Sequence, residues 1–473
     1  MQHDRIRTAL TAIAVLGLMD FAGAQEPAWT ERALPEHVDP ALTGHRLDRD
    51  ELQRLRDAGE HLFAAKFTVP DGAGRPNATQ AITPVKRKRP GKAAFVRTAG
   101  LDANACSSCH NEPAPGGAGN FAANVFVSEG FTETEFDSLD PQFSNERNTN
   151  HLFGSGLIEL LAREMTADLH DQRKAAAHTA RAGGRPVTAK LVSKGVDFGT
   201  LTALPDGMID ISGLDGVDTD LVIRPFTQKG VIVSLRQFTV NALNQHHGMQ
   251  AVERYGERWT GEADFDEDGI AAEISDTDVT AMVAWQATLK PPAQTVPDDP
   301  AWREAAARGS AIFDATGCAS CHIRALPIRS LNFADPGPYD AAGTLRDGEA
   351  PRTDIDLALM EWAAGLPRND AGQVMVPLFG DLKRHRIADR VNSTLGNELL
   401  AQRFVDRDVF QTTELWGIGS TAPYGHRGDL TTLDEVILAH GGEATPVTER
   451  YAAMAPDERS ALIAFLKTLV IEP

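Results

Sequence analysis

A mainly α fold in two comparable halves, with long loops and one small β-hairpin insertion, is what this sequence predicts. Three observations lead to it. The 473 residues hold four cysteines, all of them in two Cys-x-x-Cys-His motifs, CSSCH at 106–110 and CASCH at 318–322. Each motif has a helical pattern upstream, Arg49 to Lys66 in one half and Pro300 to Phe313 in the other. Between the motifs lies more chain than a small single-motif domain needs, including a Gly/Asp-rich run with β-branched stretches.

Taken in order, the N-terminal stretch sets Arg5 and Arg7 before an apolar run from Ala9 to Met19, followed by Ala22-Gly23-Ala24. This pattern predicts a secretory signal over 1–24. The run is too short to cross a bilayer, and no later segment reaches that length. The expectation is a periplasmic protein with no stable membrane span. The stretch VKRKRPGK, 85–92, reads as solvated surface, with partner docking as the alternative. The run DGMIDISGLDGVDTDLVIRPF, 206–226, predicts short strands or a hairpin, and a helix follows near Val231 to Gln245. DFDEDGIAAEISD sets Asp264, Asp266 and Asp268 ahead of Gly269, like the start of a calcium loop. The twelfth loop position is Ser275 rather than an acid, with Asp276 or Glu273 as substitutes. KPPAQTVPDDP, 290–300, has a linker's composition, which divides the chain into domains 25–296 and 297–473. The second closes with a helix that aligns Leu462, Ile463, Leu466 and Leu469 behind a Pro-Asp-Glu start.

The formal charge of −20 gives nucleic acid no complementary surface and suits a basic or metal-bearing partner. In an oxidising compartment four cysteines ordinarily mean disulfides or a redox dithiol, but neither use requires a His after each pair. A structural zinc site wants four ligands at short spacing, and each cluster offers three. Covalent haem attachment uses all three residues: two thiols add to the vinyl groups and the adjacent His binds iron. Two haem c groups are therefore expected, on Cys106, Cys109, Cys318 and Cys321, with His110 and His322 as proximal iron ligands. The fold expectation becomes a mainly α chain of two cytochrome c-like haem domains.

LWGIGSTAPYGHRGDLTTLDEVILAHGGEA, from Leu415, resembles the C-terminal signature of the di-haem c-type oxidoreductases, a peroxidase-like family related to bacterial di-haem cytochrome c peroxidases. GLIELL at 156–161, the 206–226 run, LRQFTVNALNQHHGMQ and DEDGIAAEISDTDVTAMVAWQ are similar to that family as well, so the resemblance covers most of the mature chain. It implies a sixth ligand for the second haem at His440, where those peroxidases carry Met. It also implies an inter-haem calcium on Asn148, Thr421 and Pro423, although Asn150 stands where Pro is usual. Two departures weaken the implied use of hydrogen peroxide: the inter-haem tryptophan segment is replaced by Gly-Leu-Ile-Glu-Leu-Leu-Ala-Arg, and Arg427 stands where an acid is expected.

A six-coordinate second haem leaves the first as the reaction centre, which needs a proton-transfer group. Glu159, in an apolar stretch, and His151 are the catalytic candidates. His246 or His247 is expected to line that pocket, Arg236 to hold a propionate or lie on the surface, and Trp285 and Trp416 to pack in the core. His385 receives no role. The partners expected are a small redox protein or other electron donor or acceptor, and a small oxidant such as peroxide. The alternatives are a non-enzymatic di-haem electron-transfer cytochrome and a haem oxygenase acting on an organic substrate.

Overall fold

The computed structural model describes residues 29–74, 105–127, 144–397 and 403–472, so the signal segment and the basic stretch 85–92 lie outside the described residues. The first half opens with the predicted helix, Arg49–Ala64, whose N-cap Asp48 accepts from the Asp50 and Glu51 amides in a capping box. Its buried face carries Leu52, Leu55, Gly59, Leu62 and Phe63. It crosses a second helix, Asp276–Thr288, which is buried on every side from Asp278 onward. Gly59 permits the crossing: a Cβ there would stand 2.0 Å from the Ala281 carbonyl oxygen.

The second half repeats this device. The helix Pro300–Thr316, capped by Asp299, packs on Pro456–Leu466, and a Cβ on Gly309 would stand 1.9 Å from the Ala461 carbonyl oxygen. Phe313, Phe379 and Phe465 form an aromatic cluster at this crossing, with centroids 5.5–6.1 Å apart. Leu469 leaves the predicted helical stripe. It pairs as a strand, Leu469–Val470, with Ala293–Gln294 from the expected linker.

The expected mainly α class is corrected by the structure, which is 39% helix and 15% strand, a mixed α/β arrangement of small sheets. Among the described residues there are five two-stranded sheets and one of three strands. The three-stranded sheet pairs Val187–Ser193 with Val196–Ala203 and then Ile209–Asp210, so most of its hairpin precedes the Asp-rich run predicted to form it. That run is mainly turns, because its aspartates accept from nearby amides, as Asp210 does from Ser212 and Asp220 from Val222. Elsewhere, runs of three or four residues such as Leu326–Ile328 with Val374–Val376 pair across the chain, too short for a period-two signal.

A 29-residue helix, Ser155–Gly183, buries Leu157, Leu161, Met165 and Leu169 against the first half. The main core also takes in Leu326, Phe333, Ile355, Val376 and Leu382 from beyond the second motif, while a smaller core surrounds Phe313, Tyr451 and Phe465. Arg236, 1% exposed, ties the first half to the strand Asn332–Asp335. It donates to Glu253 at 2.5 and 2.8 Å, to Asp335 at 2.5 Å and to Thr280 Oγ1 at 2.9 Å. It lies outside the cavity described next, so its charge is committed to these carboxylates rather than to a ligand there.

Candidate functional site

Both Cys-x-x-Cys-His motifs open onto one continuous cavity of about 880 Å³. Cys106–Cys109 form a single helical turn ending at His110, and Cys318–Ser320 form a 3₁₀ turn after the αL residue Gly317. These tight turns bring both sulfurs and the following imidazole of each motif to the cavity wall. None of the four cysteines is in a disulfide, and burial pushes the Cys106 thiol up to about 12 and that of Cys318 to about 11. Neutral thiols on an apolar wall suit addition to a vinyl group better than thiolate ligation of zinc.

The second niche has a defined pair of imidazoles. His322 Nδ1 lies 3.2 Å from the Phe379 carbonyl and His440 Nδ1 2.6 Å from that of Val436. A carbonyl only accepts, so each Nδ1 carries the proton and each Nε2 keeps its lone pair. Burial, and then the neighbouring His440, holds His322 down to about 4, and burial lowers His440 too. Both rings line the cavity as neutral donors, the form an iron requires.

The first niche is less committed. His110 is lowered to about 4 by burial, with His246 and His151 also acting on it. His151 Nε2 donates to the Trp416 carbonyl at 3.1 Å, so Nδ1 bears the lone pair, and no hydrogen-bond donor meets it. Burial lowers His151 to about 4. His246 and His247 follow the helix Leu235–Ala242 on a π-helical turn, Leu243–His247, which rotates them onto the cavity. His247 Nε2 lies 3.5 Å from Cys106 Sγ.

Glu159, the other sequence candidate, is outside the cavity lining. One carboxylate oxygen meets Arg163 at 2.5 Å and the other accepts the Leu235 amide at 2.7 Å. Burial pushes it up to about 7 against the pull of Arg163. Trp285 packs on Phe63 at 4.4 Å between centroids and also stays off the cavity wall. Trp416 is buried yet lines the cavity, with its ring against Gly154 and its indole N–H meeting no acceptor.

Other cavity groups receive no role from the sequence. Arg147 and Lys229 are the cations of one wall, with the neutral His426 beside them. Burial, then Arg427, lowers Arg147 to about 10; burial, then Arg147, lowers Lys229 to about 7. His426 stacks on Phe410 at 4.6 Å, and burial with these cations depresses it to about 3. Such a wall suits the carboxylate edge of a haem. Lys229 is separated from Arg147 by 82 positions, which explains why no local pattern reveals the pairing. Glu414 also faces the cavity, pushed up to about 7 by burial.

Asn148, Thr421 and Pro423 all line the cavity. Asn148 Nδ2 donates to the Pro423 carbonyl at 2.5 Å, and Asn148 Oδ1 meets no donor. His385 bridges Asp381 at 2.9 Å and Glu443 at 2.8 Å beside Cys321.

Paired Cys-x-x-Cys-His motifs on one cavity, with neutral imidazoles and cationic side chains on its wall, make a site suited to two haems. The family described as "Di-haem oxidoreductase, putative peroxidase" matches residues 368–469, so the C-terminal part of the chain is similar to that family. Cytochrome-c peroxidase IdrP2 of Denitromonas iodatirespirans is 37% identical over 82 residues, covering 17% of this chain and 22% of the relative. The protein of that name from Pseudomonas sp. (strain SCT) is 26% identical over 251 residues, covering 46% of this chain and 64% of the relative. The chain thus spans under two thirds of each relative's length. Among solved structures, a Kuenenia stuttgartiensis hydrazine synthase covers 99% of this chain and 100% of its own at 13% identity and TM-score 0.38. A MauG-like protein associated with microbial copper homeostasis covers 65% and 89% at 16% identity and TM-score 0.27. Neither score reaches the level at which a shared fold carries weight. No described helix is long and apolar enough to cross a membrane.

Proposed function

We propose that the chain is a periplasmic di-haem c-type oxidoreductase that takes electrons from a small redox protein through its second haem and reduces a small oxidant, peroxide by preference, at its first. The observation that carries this reading is the contrast between the two niches on one cavity. His322 faces one neutral imidazole, His440, whose tautomer is fixed, whereas His110 has His151, His246 and His247 near it and no single fixed partner.

Cys106, Cys109, Cys318 and Cys321 would hold two haem c groups covalently, with His110, His322 and His440 as iron ligands. Haem so held supplies iron that exchanges electrons and, where a position is open, binds peroxide oxygen. The chain's own contribution is positioning and proton handling. His151 keeps Nδ1 free to take a proton from hydrogen peroxide in this niche and return it to the departing oxygen, while its Nε2–H stays anchored on the Trp416 carbonyl. Glu159, bound to Arg163 and the Leu235 amide, would then be a structural carboxylate. Arg147 would neutralise a propionate, whereas Lys229 Nζ already donates to the Asp406, Arg407 and Val409 carbonyls and would add only its charge to the field there. Trp416, on the wall shared by both niches, is the aromatic side chain best set to conduct between them.

Calcium on Asn148, Thr421 and Pro423 belongs to the same proposal. If the Asn148 amide is turned over, its oxygen meets the Pro423 carbonyl, an arrangement that a cation between them stabilises. The basic wall beside it opposes a dication, so affinity there should be modest.

The test is peroxide turnover with a reduced small cytochrome as donor, alongside spin-state spectra of the half-reduced protein. A high-spin first haem and turnover support the reading. Low-spin signals in every redox state without turnover would establish the electron-transfer cytochrome instead, and oxygen uptake dependent on an organic substrate would establish an oxygenase.

A further inference from the structure

Away from the cavity, Asp264, Asp266 and Asp268 bring one carboxylate oxygen each within 4.8 Å of one another. Gly269, at φ +97°, turns the chain, and the Asp268 and Gly269 amides donate to Asp264 at 3.2 and 2.9 Å. These bonds shape the loop and would exist in any acidic turn. Asp266 is different. It is 0% exposed, and neither of its carboxylate oxygens has a hydrogen-bond partner. A buried carboxylate without donors requires a compensating charge.

A fourth carboxylate, outside the three that converge within 4.8 Å, acts on them electrostatically. Glu273, 5% exposed, accepts the Gln250 amide at 2.7 Å and lies against Gly72, whose lack of a Cβ admits it. Burial and then Asp266 push Glu273 well above the usual carboxylate range; burial, then Asp268 and Asp264, push Asp266 up to about 8. Ser275, at the twelfth loop position, is already used: its hydroxyl caps the helix Asp276–Thr288 by accepting the Asp278 amide. Glu273 is therefore the residue placed to supply the missing acid.

We propose that Asp264, Asp266, Asp268 and Glu273 bind one divalent cation, calcium by its preference for a flexible all-oxygen loop, and that this ion braces the segment behind the first niche. The bracing follows from connectivity. Glu273 holds Gln250, the Val252 amide donates to the Ile274 carbonyl at 2.9 Å, and the Gly74 amide donates to Gly248 at 3.2 Å. Gly248 directly follows His246 and His247. The site is independent of haem ligation and of the Asn148 group.

The experiment is calorimetric titration of chelator-stripped holoprotein with CaCl₂, for the wild type, Asp266→Asn and Asn148→Ala. The proposal expects a calcium event that survives Asn148→Ala and is lost in Asp266→Asn. It also expects calcium to raise the melting temperature of the wild type and not that of Asp266→Asn. Calcium binding unchanged in Asp266→Asn, or present only through a site lost in Asn148→Ala, overturns it, as does a wild type that binds none. If Asp266→Asn does not fold, Asp268→Asn replaces it: a tenfold or greater loss of affinity is expected, and unchanged affinity overturns the proposal.

Discussion

In both halves a helix ahead of the Cys-x-x-Cys-His motif crosses a later helix at a glycine, Gly59 over Ala281 and Gly309 over Ala461. Past that point the halves diverge. His322 is matched by His440, and both rings are oriented by backbone carbonyls of their own half, while three further histidines approach the niche of His110. One of these, His151, is oriented from the other half, by the Trp416 carbonyl. Equivalent scaffolds thus support one niche with a single fixed imidazole partner and one approached by several imidazoles. Function resides in the residues grafted onto the repeat rather than in the repeat.

The comparison can be tested first by removing its anchors. Cys106→Ser with Cys109→Ser should leave one haem of two per chain by pyridine haemochrome assay, and Cys318→Ser with Cys321→Ser should do the same. The first double variant should abolish peroxide turnover while retaining a low-spin haem, and the second should remove that low-spin signal. Retention of turnover by the first variant would reverse the assignment of the niches.

His151→Gln should lower turnover by about 10²-fold, in the range for loss of a proton-transfer group. Its spectra should otherwise remain unchanged. Because burial holds His151 unprotonated down to about pH 4, wild-type turnover should stay flat from pH 7 to 5 and fall only as pH drops through about 4. A decline centred near pH 6.5 would mean that His151 is not the group titrating.

Arg236→Ala leaves Glu253 and Asp335 buried without their cation and should cost about 3–5 kcal/mol in urea unfolding, the usual range for a broken buried pair. Adding a methyl at the crossings should have a smaller effect. Gly59→Ala and Gly309→Ala should each cost about 1–3 kcal/mol by overpacking, and the two losses should be similar if the crossings are equivalent.

The sequence made the repeated parts legible. Helix patterns located Arg49–Ala64, Pro300–Thr316 and Pro456–Leu466, and motif spacing located all four cysteines with His110 and His322. His440 emerged through family resemblance rather than local pattern. The fold class was misjudged because strands such as Leu326–Ile328 are short and their partners are distant. Glu159 attracted attention as a carboxylate in an apolar stretch, but nothing local to it announces the Leu235 amide, 76 positions away, that holds it. The cationic wall of Arg147 and Lys229 was hidden for the same reason. Asp266 presented the opposite case: the acidic loop was visible in sequence, but its buried, donorless carboxylate appears only in three dimensions.

The most direct test of the unequal niches is a redox titration followed by electron paramagnetic resonance, on the wild type and His440→Ala. The account predicts one haem that stays low-spin in the wild type and becomes high-spin in His440→Ala, with the first haem high-spin in the half-reduced wild type. A low-spin second haem that is unchanged in His440→Ala, or a first haem that is low-spin throughout, would contradict it.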